Sequence, residues 1–134
     1  MTDSRNFKPV SAKEDEIGKI IVNSSYVVHS KLGPGLLEKI YESCLEYEIK
    51  KSGLKVSRQV TIPISYDDMI FDEGLRIDLL VDDLVICEIK AVDQLIPVHN
   101  AQLLTYLKLT GKRLGYLINF NVPIIKQGIK RVVL

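Results

Sequence analysis

The 134-residue sequence lacks several features that define other classes of protein. It has no tryptophan and only two cysteines, Cys44 and Cys87, which lie in apolar-patterned segments. A disulfide framework is therefore not expected, and both thiols are predicted to be reduced. No apolar run approaches the roughly 20 residues that a membrane helix needs, and the polar N-terminus lacks the pattern of a secretory signal. These absences predict a cytoplasmic protein with no membrane partner.

An excess of charge of one sign is also lacking. The chain has 18 Lys and Arg residues against 17 Asp and Glu residues, for a formal net charge of +1. Whole-chain charge therefore neither predicts nor excludes a nucleic-acid partner, which a local basic patch could still bind. Apolar residues make up 46% of the sequence, enough for the core of one domain. We predict a flexible tail over residues 1–10 and a single domain over residues 11–134.

Hydrophobic periodicity predicts the order of helices and strands. Ser11 can cap a helix with Glu14 as its capping-box partner, and apolar residues follow at helical spacing. From Lys55 the period changes to two residues, which is typical of strands. The resulting order, α-α-β-β-β-β-α-β-β, predicts an α/β fold with helices packed on a mixed sheet. The predicted elements cover residues 11–31, 36–52, 55–64, 69–71, 75–81, 84–91, 98–110, 114–120 and 129–133, with a turn at 72–74.

Charged residues interrupt the apolar hairpin of residues 75–91. Strict alternation would place Asp78, Glu88 and Lys90 on one face of the sheet and only apolar residues on the other. If Val81 pairs with Val85 across a three-residue loop, Asp78 lies directly opposite Glu88. A two-residue turn would mix the two faces, so the pattern predicts the longer loop.

Opposed carboxylates repel each other unless a proton or a cation lies between them. Asp78 and Glu88 could share one metal ion, and ligands that are all oxygen favour Mg²⁺ or Mn²⁺. Lys90 would point into the same site, where it could stabilise charge on a phosphate or orient a water. The alternative is a structural salt-bridge network that adds Arg76 to these three residues.

Two helical pairs carry further polar side chains. Glu38 and Tyr41 share a helix face at a spacing of three, and Gln102 and Tyr106 share one at a spacing of four. Taken by themselves, Glu38 is a surface residue and the second pair is a hydrogen-bonded pair at the rim.

Together these motifs resemble a known family. Asp78 followed by EIK (residues 88–90) is similar to the signature of the PD-(D/E)XK nuclease superfamily, with Ile77 where the name has proline. QLLTY (102–106) resembles the QxxxY motif of the RecB-like branch, and GLLEKIY (35–41) matches the pattern of the GxxExxY family. The resemblance covers about residues 15–134 and implies a restriction-endonuclease-like mixed sheet flanked by helices.

The resemblance implies a role for each motif residue. Asp78 and Glu88 would bind Mg²⁺ or Mn²⁺, the Ile89 carbonyl would be a third ligand, and Lys90 would be the catalytic lysine. The remaining motif residues, Glu38, Gln102, Tyr106 and Tyr41, would complete the acidic site, assist catalysis or contact the substrate.

The implied function is metal-dependent hydrolysis of phosphodiester bonds in DNA, with RNA as the alternative substrate. Two other functions stay open: a nucleic-acid-binding or accessory module without turnover, and an interaction protein such as one half of a toxin–antitoxin system. Many superfamily members are dimers, so a homodimer is expected by analogy. Residues 129–134 would form its interface or, as we favour, belong to the core.

Overall fold

The computed structural model describes residues 9–134, and in them three α-helices surround one five-stranded sheet. The predicted tail over residues 1–10 lies outside the described residues except for Pro9 and Val10, which precede the first helix. The elements are α1 (Ala12–Leu32), α2 (Glu38–Lys51), β1 (Val56–Tyr66), β2 (Met69–Val81), β3 (Val85–Lys90), α3 (Pro97–Thr110), β4 (Leu114–Asn119), a 3₁₀ helix (Ile125–Gly128) and β5 (Ile129–Val133).

The strands lie side by side in chain order, β1-β2-β3-β4-β5. Neighbouring strands are antiparallel except β3 and β4, which are parallel. Parallel neighbours need a crossover connection, and α3 supplies it. The predicted α/β class, a mixed sheet flanked by helices, is confirmed.

The first helix begins where the local sequence signals predicted it. The Ser11 hydroxyl accepts a hydrogen bond from the Glu14 amide at 3.1 Å, and Glu14 Oε1 accepts one from the Ser11 amide at 2.9 Å. This reciprocal capping box satisfies two amides that a helix start leaves without partners. The apolar stripe of α1, which includes Ile17 and Ile21, then packs against the sheet.

The centre of the sheet is buried on both faces. Helices α1 and α2 cover one face in a cluster that includes Ile21, Leu45 and Leu79. Helix α3 covers the other face in a second cluster that includes Leu103 and Leu107. The central strand β3 is consequently almost inaccessible along its length, and any polar side chain on it is drawn into the interior.

The register of the β2–β3 hairpin agrees with the prediction. Val81 pairs with Val85 and Leu79 with Cys87, so the loop has three residues. Asp82 and Asp83 adopt positive φ angles of 51° and 58°, which aspartate tolerates better than most residues. Both cysteines of the chain are free, as expected.

The predicted turn at residues 72–74 is wrong, and the strands predicted on either side of it are one strand. Strand β2 runs without a break from Met69 to Val81, because β1 pairs with it on both sides of this segment. A register shift between Ile62 and Ile64 accommodates the irregularity. The polar residues there are exposed on the hairpin, so their polarity does not require a turn.

We predict that Gly128→Ala destabilises the protein. A Cβ atom at Gly128 would collide with the backbone carbonyl oxygen of Asn119 and lie 3.1 Å from Val122 Cγ2. Backbone cannot move aside as a flexible side chain can, so the free energy of unfolding should fall by about 1–3 kcal/mol. Urea unfolding measures the change. The exposed neighbour Gln127→Ala serves as the control and should change stability by less than about 0.5 kcal/mol; equal effects would contradict the prediction.

Candidate active site

Two carboxylates meet where β2 and β3 separate. The backbone ladder between these strands ends at the Leu79–Cys87 pair. Beyond it, the Asp78 amide donates a hydrogen bond to Glu88 Oε2 at 3.0 Å, and the Ile89 amide donates one to Asp78 Oδ2 at 2.8 Å. Each carboxylate thus takes the place of a backbone carbonyl on the opposite strand. We call Asp78 and Glu88 the carboxylate pair.

The predicted strict alternation of β2 fails at Asp78. Leu79 belongs to the cluster under α1 and α2, whereas Leu75 and Ile77, of the same parity, belong to the cluster under α3. Opposite Asp78, Gln59 of β1 has a positive φ of 50°, and the β1–β2 pairing omits it. This local distortion turns the strand, so the prediction of one wholly apolar face holds for only part of the hairpin.

Burial makes the charge of this pair costly. Glu88 is 4% exposed, and burial, with the neighbouring Asp78 charge, raises the pKa of its carboxyl from 4.5 to about 8. Burial also raises the pKa of Asp78, although the hydrogen bond from the Ile89 amide opposes the rise. The charges of Glu42 and Glu38 raise the Asp78 pKa further, and that of Lys90 lowers it.

Lys90 lies at the end of β3 beside the carboxylate pair. Its carbonyl accepts a hydrogen bond from Phe120 at 3.0 Å, and it pairs with Asn119 of β4. The buried Asn119 amide also holds the chain just beyond Lys90, since it donates to the Val92 carbonyl at 2.9 Å and accepts from the Val92 amide at 3.1 Å. The backbone of the lysine is therefore fixed from both directions.

The alternative salt-bridge network of Arg76 and Lys90 with the two carboxylates is not formed in residues 9–134. Neither Lys90 nor Arg76 makes an ion pair with Asp78 or Glu88 there. Lys90 still lies close enough for its positive charge to lower the pKa of both carboxyls. The ammonium group is thus near the carboxylate pair without being held by it.

The direction of the Ile89 carbonyl follows from the hydrogen bonds of its neighbours. In a strand, the N–H and C=O groups of one residue point to the same side and alternate with those of the next residue. The Ile89 amide points toward β2, because it bonds Asp78, and the Lys90 carbonyl points toward β4. We therefore expect the Ile89 carbonyl to be directed toward the carboxylate pair.

Helix α3 brings the predicted pair Gln102 and Tyr106 to the site. The Gln102 amide donates a hydrogen bond to the Tyr106 hydroxyl at 3.2 Å. Burial raises the pKa of the Tyr106 phenol, and the negative charges of Glu88 and Asp78 raise it further. The ring thus lies within electrostatic reach of the carboxylate pair, and Gln102 is exposed at the rim.

Helix α2 contributes its predicted residues less directly. Glu38 is exposed at the first position of the helix, and its charge reaches Asp78. Within residues 9–134, no group of three or more His, Cys, Asp or Glu side chains is close enough to hold a metal ion. The structure therefore does not place Glu38 close enough to bind one metal ion together with the carboxylate pair.

The interpretation of Tyr41 as a substrate contact needs correction. Its side chain is fully buried and stacks on Phe120 with ring centroids 4.7 Å apart. Its hydroxyl donates to the Gly33 carbonyl at 2.7 Å and accepts from the Leu36 amide at 3.0 Å. Tyr41 therefore anchors the loop before α2 to the core, and its side chain is not accessible to a substrate.

Sequence reasoning missed three side chains beside the site. Glu42 is 6% exposed; its Oε2 accepts from Arg58 Nε at 3.1 Å and Nη2 at 3.0 Å, and its Oε1 accepts from Gln59 at 2.8 Å. Gln59 also lies 3.5 Å from Asp78 Oδ1. The spacing of Glu42, one turn after Glu38, was the only available signal.

The donors present are suited to a hard divalent cation. One oxygen of each carboxylate accepts a hydrogen bond from a backbone amide. Within residues 9–134, the second oxygen of Asp78, Oδ1, has only the 3.5 Å contact from Gln59, and the second oxygen of Glu88, Oε1, accepts no hydrogen bond. Oxygen ligands of this kind suit Mg²⁺ or Mn²⁺. A cation would also stabilise the charged form of both carboxyls, whose pKa values are raised by burial and by neighbouring negative charges.

Comparison with protein families identifies the class to which this fold and site belong. The family model of the PD-(D/E)XK nuclease superfamily matches residues 15–132, nearly the whole chain, so the chain belongs to that superfamily and its fold is restriction-endonuclease-like. Nucleases of this superfamily generally use divalent metals and act on nucleic acid. Comparisons with curated proteins and with solved structures gave no match. In residues 9–134, no helix has the length and apolarity needed to cross a membrane.

We predict that stability in the absence of metal falls as pH rises through the titration of Glu88. Its pKa is higher in the folded protein than its ordinary value of 4.5, so its stabilising contribution is complete below about pH 4.5 and is lost as pH rises through about 8. Glutamine at this position keeps an acceptor and never ionises. The free energy of unfolding of Glu88→Gln should therefore exceed that of wild type by about 1–3 kcal/mol between pH 5 and pH 8.5. Unfolding in EDTA at each pH measures this difference. Parallel stability profiles for the two proteins would contradict the prediction.

Proposed function

We propose that this protein is a metal-dependent nuclease that hydrolyses phosphodiester bonds at the carboxylate pair. The observation that carries the proposal is the buried pair itself. Within residues 9–134, one oxygen of each carboxylate has no short hydrogen bond, and the nearby Lys90 makes no ion pair with either carboxylate. An arrangement of this kind is unfavourable in the folded protein unless a proton or a cation compensates for the buried negative charge.

Each residue of the site has a chemical role in this proposal. Asp78, Glu88 and the Ile89 carbonyl would hold Mg²⁺ or Mn²⁺. When bound, the ion supplies Lewis acidity toward the phosphate and makes water more acidic. Lys90 is free to approach the negative charge that develops on the phosphate, where a preorganised cation is most effective. The exposed Glu38 would act through water.

Helix α3 would form one wall for the substrate. Tyr106 offers a ring on which a base can stack, and its hydroxyl is oriented by Gln102. Gln102 would also contact the nucleic acid or hold a catalytic group in place. These roles require the substrate to pass along the α3 side of the carboxylate pair.

The motifs also support a narrower family and a substrate class for this protein. The motifs at residues 35–41 and 102–106 support placement in the GxxExxY family and the RecB-like branch, and we propose DNA as the substrate with RNA as the alternative. A cytoplasmic location and a homodimer stay predictions. Strand β5 lies at the edge of the sheet, but Val132 on it is buried in the α3 cluster.

A second function is a nucleic-acid-binding module that does not cleave. One observation favours it: the described residues bring together no cluster of three metal-binding side chains. Under this function, binding would depend strongly on salt and not at all on Mg²⁺ or Mn²⁺.

We predict that the protein cleaves nucleic acid only with Mg²⁺ or Mn²⁺, and that Asp78→Asn and Lys90→Ala lower the rate at least about a hundredfold. The reason is that each removes a group that acts on charge in the transition state. The assay uses single- and double-stranded DNA and RNA with each metal. Asp83→Asn and Lys19→Ala, exposed residues away from the site, are the matched controls and should retain activity. Absence of cleavage by wild type, or equal rates for all variants, would refute the nuclease proposal.

We predict that Tyr106→Ala weakens binding of single-stranded DNA about tenfold, because a base loses its stacking partner. Tyr106→Phe keeps the ring and should retain most of the affinity. Fluorescence anisotropy of the Lys90→Ala background in EDTA measures binding without cleavage. Equal affinities for the alanine and phenylalanine variants would show that the ring is not a stacking platform.

A further inference from the structure

We propose that Gln59 is a positioning residue that fixes the orientation of Asp78 in the site. The side-chain amide of Gln59 lies between two carboxylates: it donates to Glu42 Oε1 at 2.8 Å and lies 3.5 Å from Asp78 Oδ1. The proposed role rests on the proposed function, since it assigns a further residue to the same site.

The assignment of the amide nitrogen follows from its neighbours. Ionised carboxylates only accept hydrogen bonds, so the NH₂ group of Gln59, which has two donor hydrogens, must face Glu42 and Asp78. A neutral donor between two negative groups reduces their mutual repulsion. The charge of Glu42 is among those that act on Asp78, so this separation bears directly on the site.

Glu42 is itself held so that it can orient Gln59. Its Oε2 is occupied by two nitrogens of Arg58, and only Oε1 remains for the Gln59 amide. The Glu42 side chain is buried, whereas Gln59 and Arg58 are more exposed. The order of support therefore runs from α2 to β1 to β2: Glu42 fixes Gln59, and Gln59 contacts Asp78.

Both oxygens of Asp78 then have a donor. The Ile89 amide holds Oδ2 at 2.8 Å, and the Gln59 amide approaches Oδ1 at 3.5 Å, the long end of the hydrogen-bond range. The terminal torsion of an aspartate is soft, so one hydrogen bond alone leaves the carboxylate plane free to rotate. The second contact restricts that rotation and sets the direction of the oxygen that would meet a cation.

The backbone of Gln59 supports a role beyond packing. Its φ of 50° lies in the left-handed region, which is unfavourable for a side chain other than Gly, Asn or Asp. The β1–β2 pairing includes Arg58 and Val60 on either side but omits Gln59. Strain of this kind persists where the surroundings impose it, and here it aims the side chain at Asp78.

Gln59→Gly tests the proposal, because glycine accepts the left-handed backbone and removes only the amide side chain. We expect metal-free crystal structures to show a fixed Asp78 carboxylate in wild type and a rotated or disordered one in Gln59→Gly. Calorimetric affinity for Mn²⁺ should fall about tenfold in the variant, as expected for one hydrogen bond to a charged group. Thermal stability should not fall in parallel, since glycine relieves the backbone strain.

The matched control is Glu46→Gln. Glu46 lies one helical turn beyond Glu42, and its ion pairs within residues 9–134 are with Arg58 Nη1, at 3.5 Å, and with Lys50, at 3.0 Å. The Glu46→Gln variant should leave both the orientation of the Asp78 carboxylate and the affinity for Mn²⁺ unchanged. An unaltered Asp78 carboxylate in Gln59→Gly overturns the positioning role, whatever the cleavage result. A wild type that cleaves nothing, but whose Asp78 orientation depends on Gln59, refutes the nuclease proposal and leaves the positioning role intact.

Discussion

The two hydrogen bonds between the backbone amides of Asp78 and Ile89 and the carboxylates of Glu88 and Asp78 are the interaction on which the site depends. Buried amides need acceptors, and at this point of the sheet the acceptors are side chains instead of the carbonyls of a continued ladder. These side-chain acceptors satisfy the hydrogen-bonding capacity of the backbone amides. They also bring two carboxylates into the interior, where both carboxyl pKa values rise. A stable fold thereby contains an electrostatic conflict that a cation would relieve.

The surrounding elements hold this conflict in place. Helices on both faces bury β3, so Glu88 cannot turn to water. Strand β4 and the Asn119 side chain fix the chain around Lys90. Helix α3 adds Tyr106, and α2 reaches Asp78 through the Glu42–Gln59 contact. The site is therefore assembled from every layer of the domain, which is typical of function placed where several rigid elements converge.

Much of this arrangement could be predicted from the sequence. The order of the helices, the mixed sheet and the three-residue hairpin loop follow from periodicity and from the positions of apolar residues. The alternation argument correctly brought Asp78 and Glu88 together, since the Asp78 amide bonds the Glu88 carboxylate. It failed for Leu75 and Ile77, because a distortion at Gln59 has no signature in the sequence. The assignment of Tyr41 failed for a similar reason: spacing placed it near Glu38 but could not show that its ring stacks on Phe120.

The sequence by itself determined which residues carry charge into an apolar hairpin and in which order the motifs occur, because local periodicity depends only on neighbours along the chain. Only the tertiary structure decided that Glu38 stays at the surface, that Glu42 and Gln59 lie against Asp78, and that Lys90 remains without an ion pair to the carboxylate pair in residues 9–134. These outcomes depend on contacts between elements that are distant in sequence, on the turn of a strained strand and on the depth to which each group is buried.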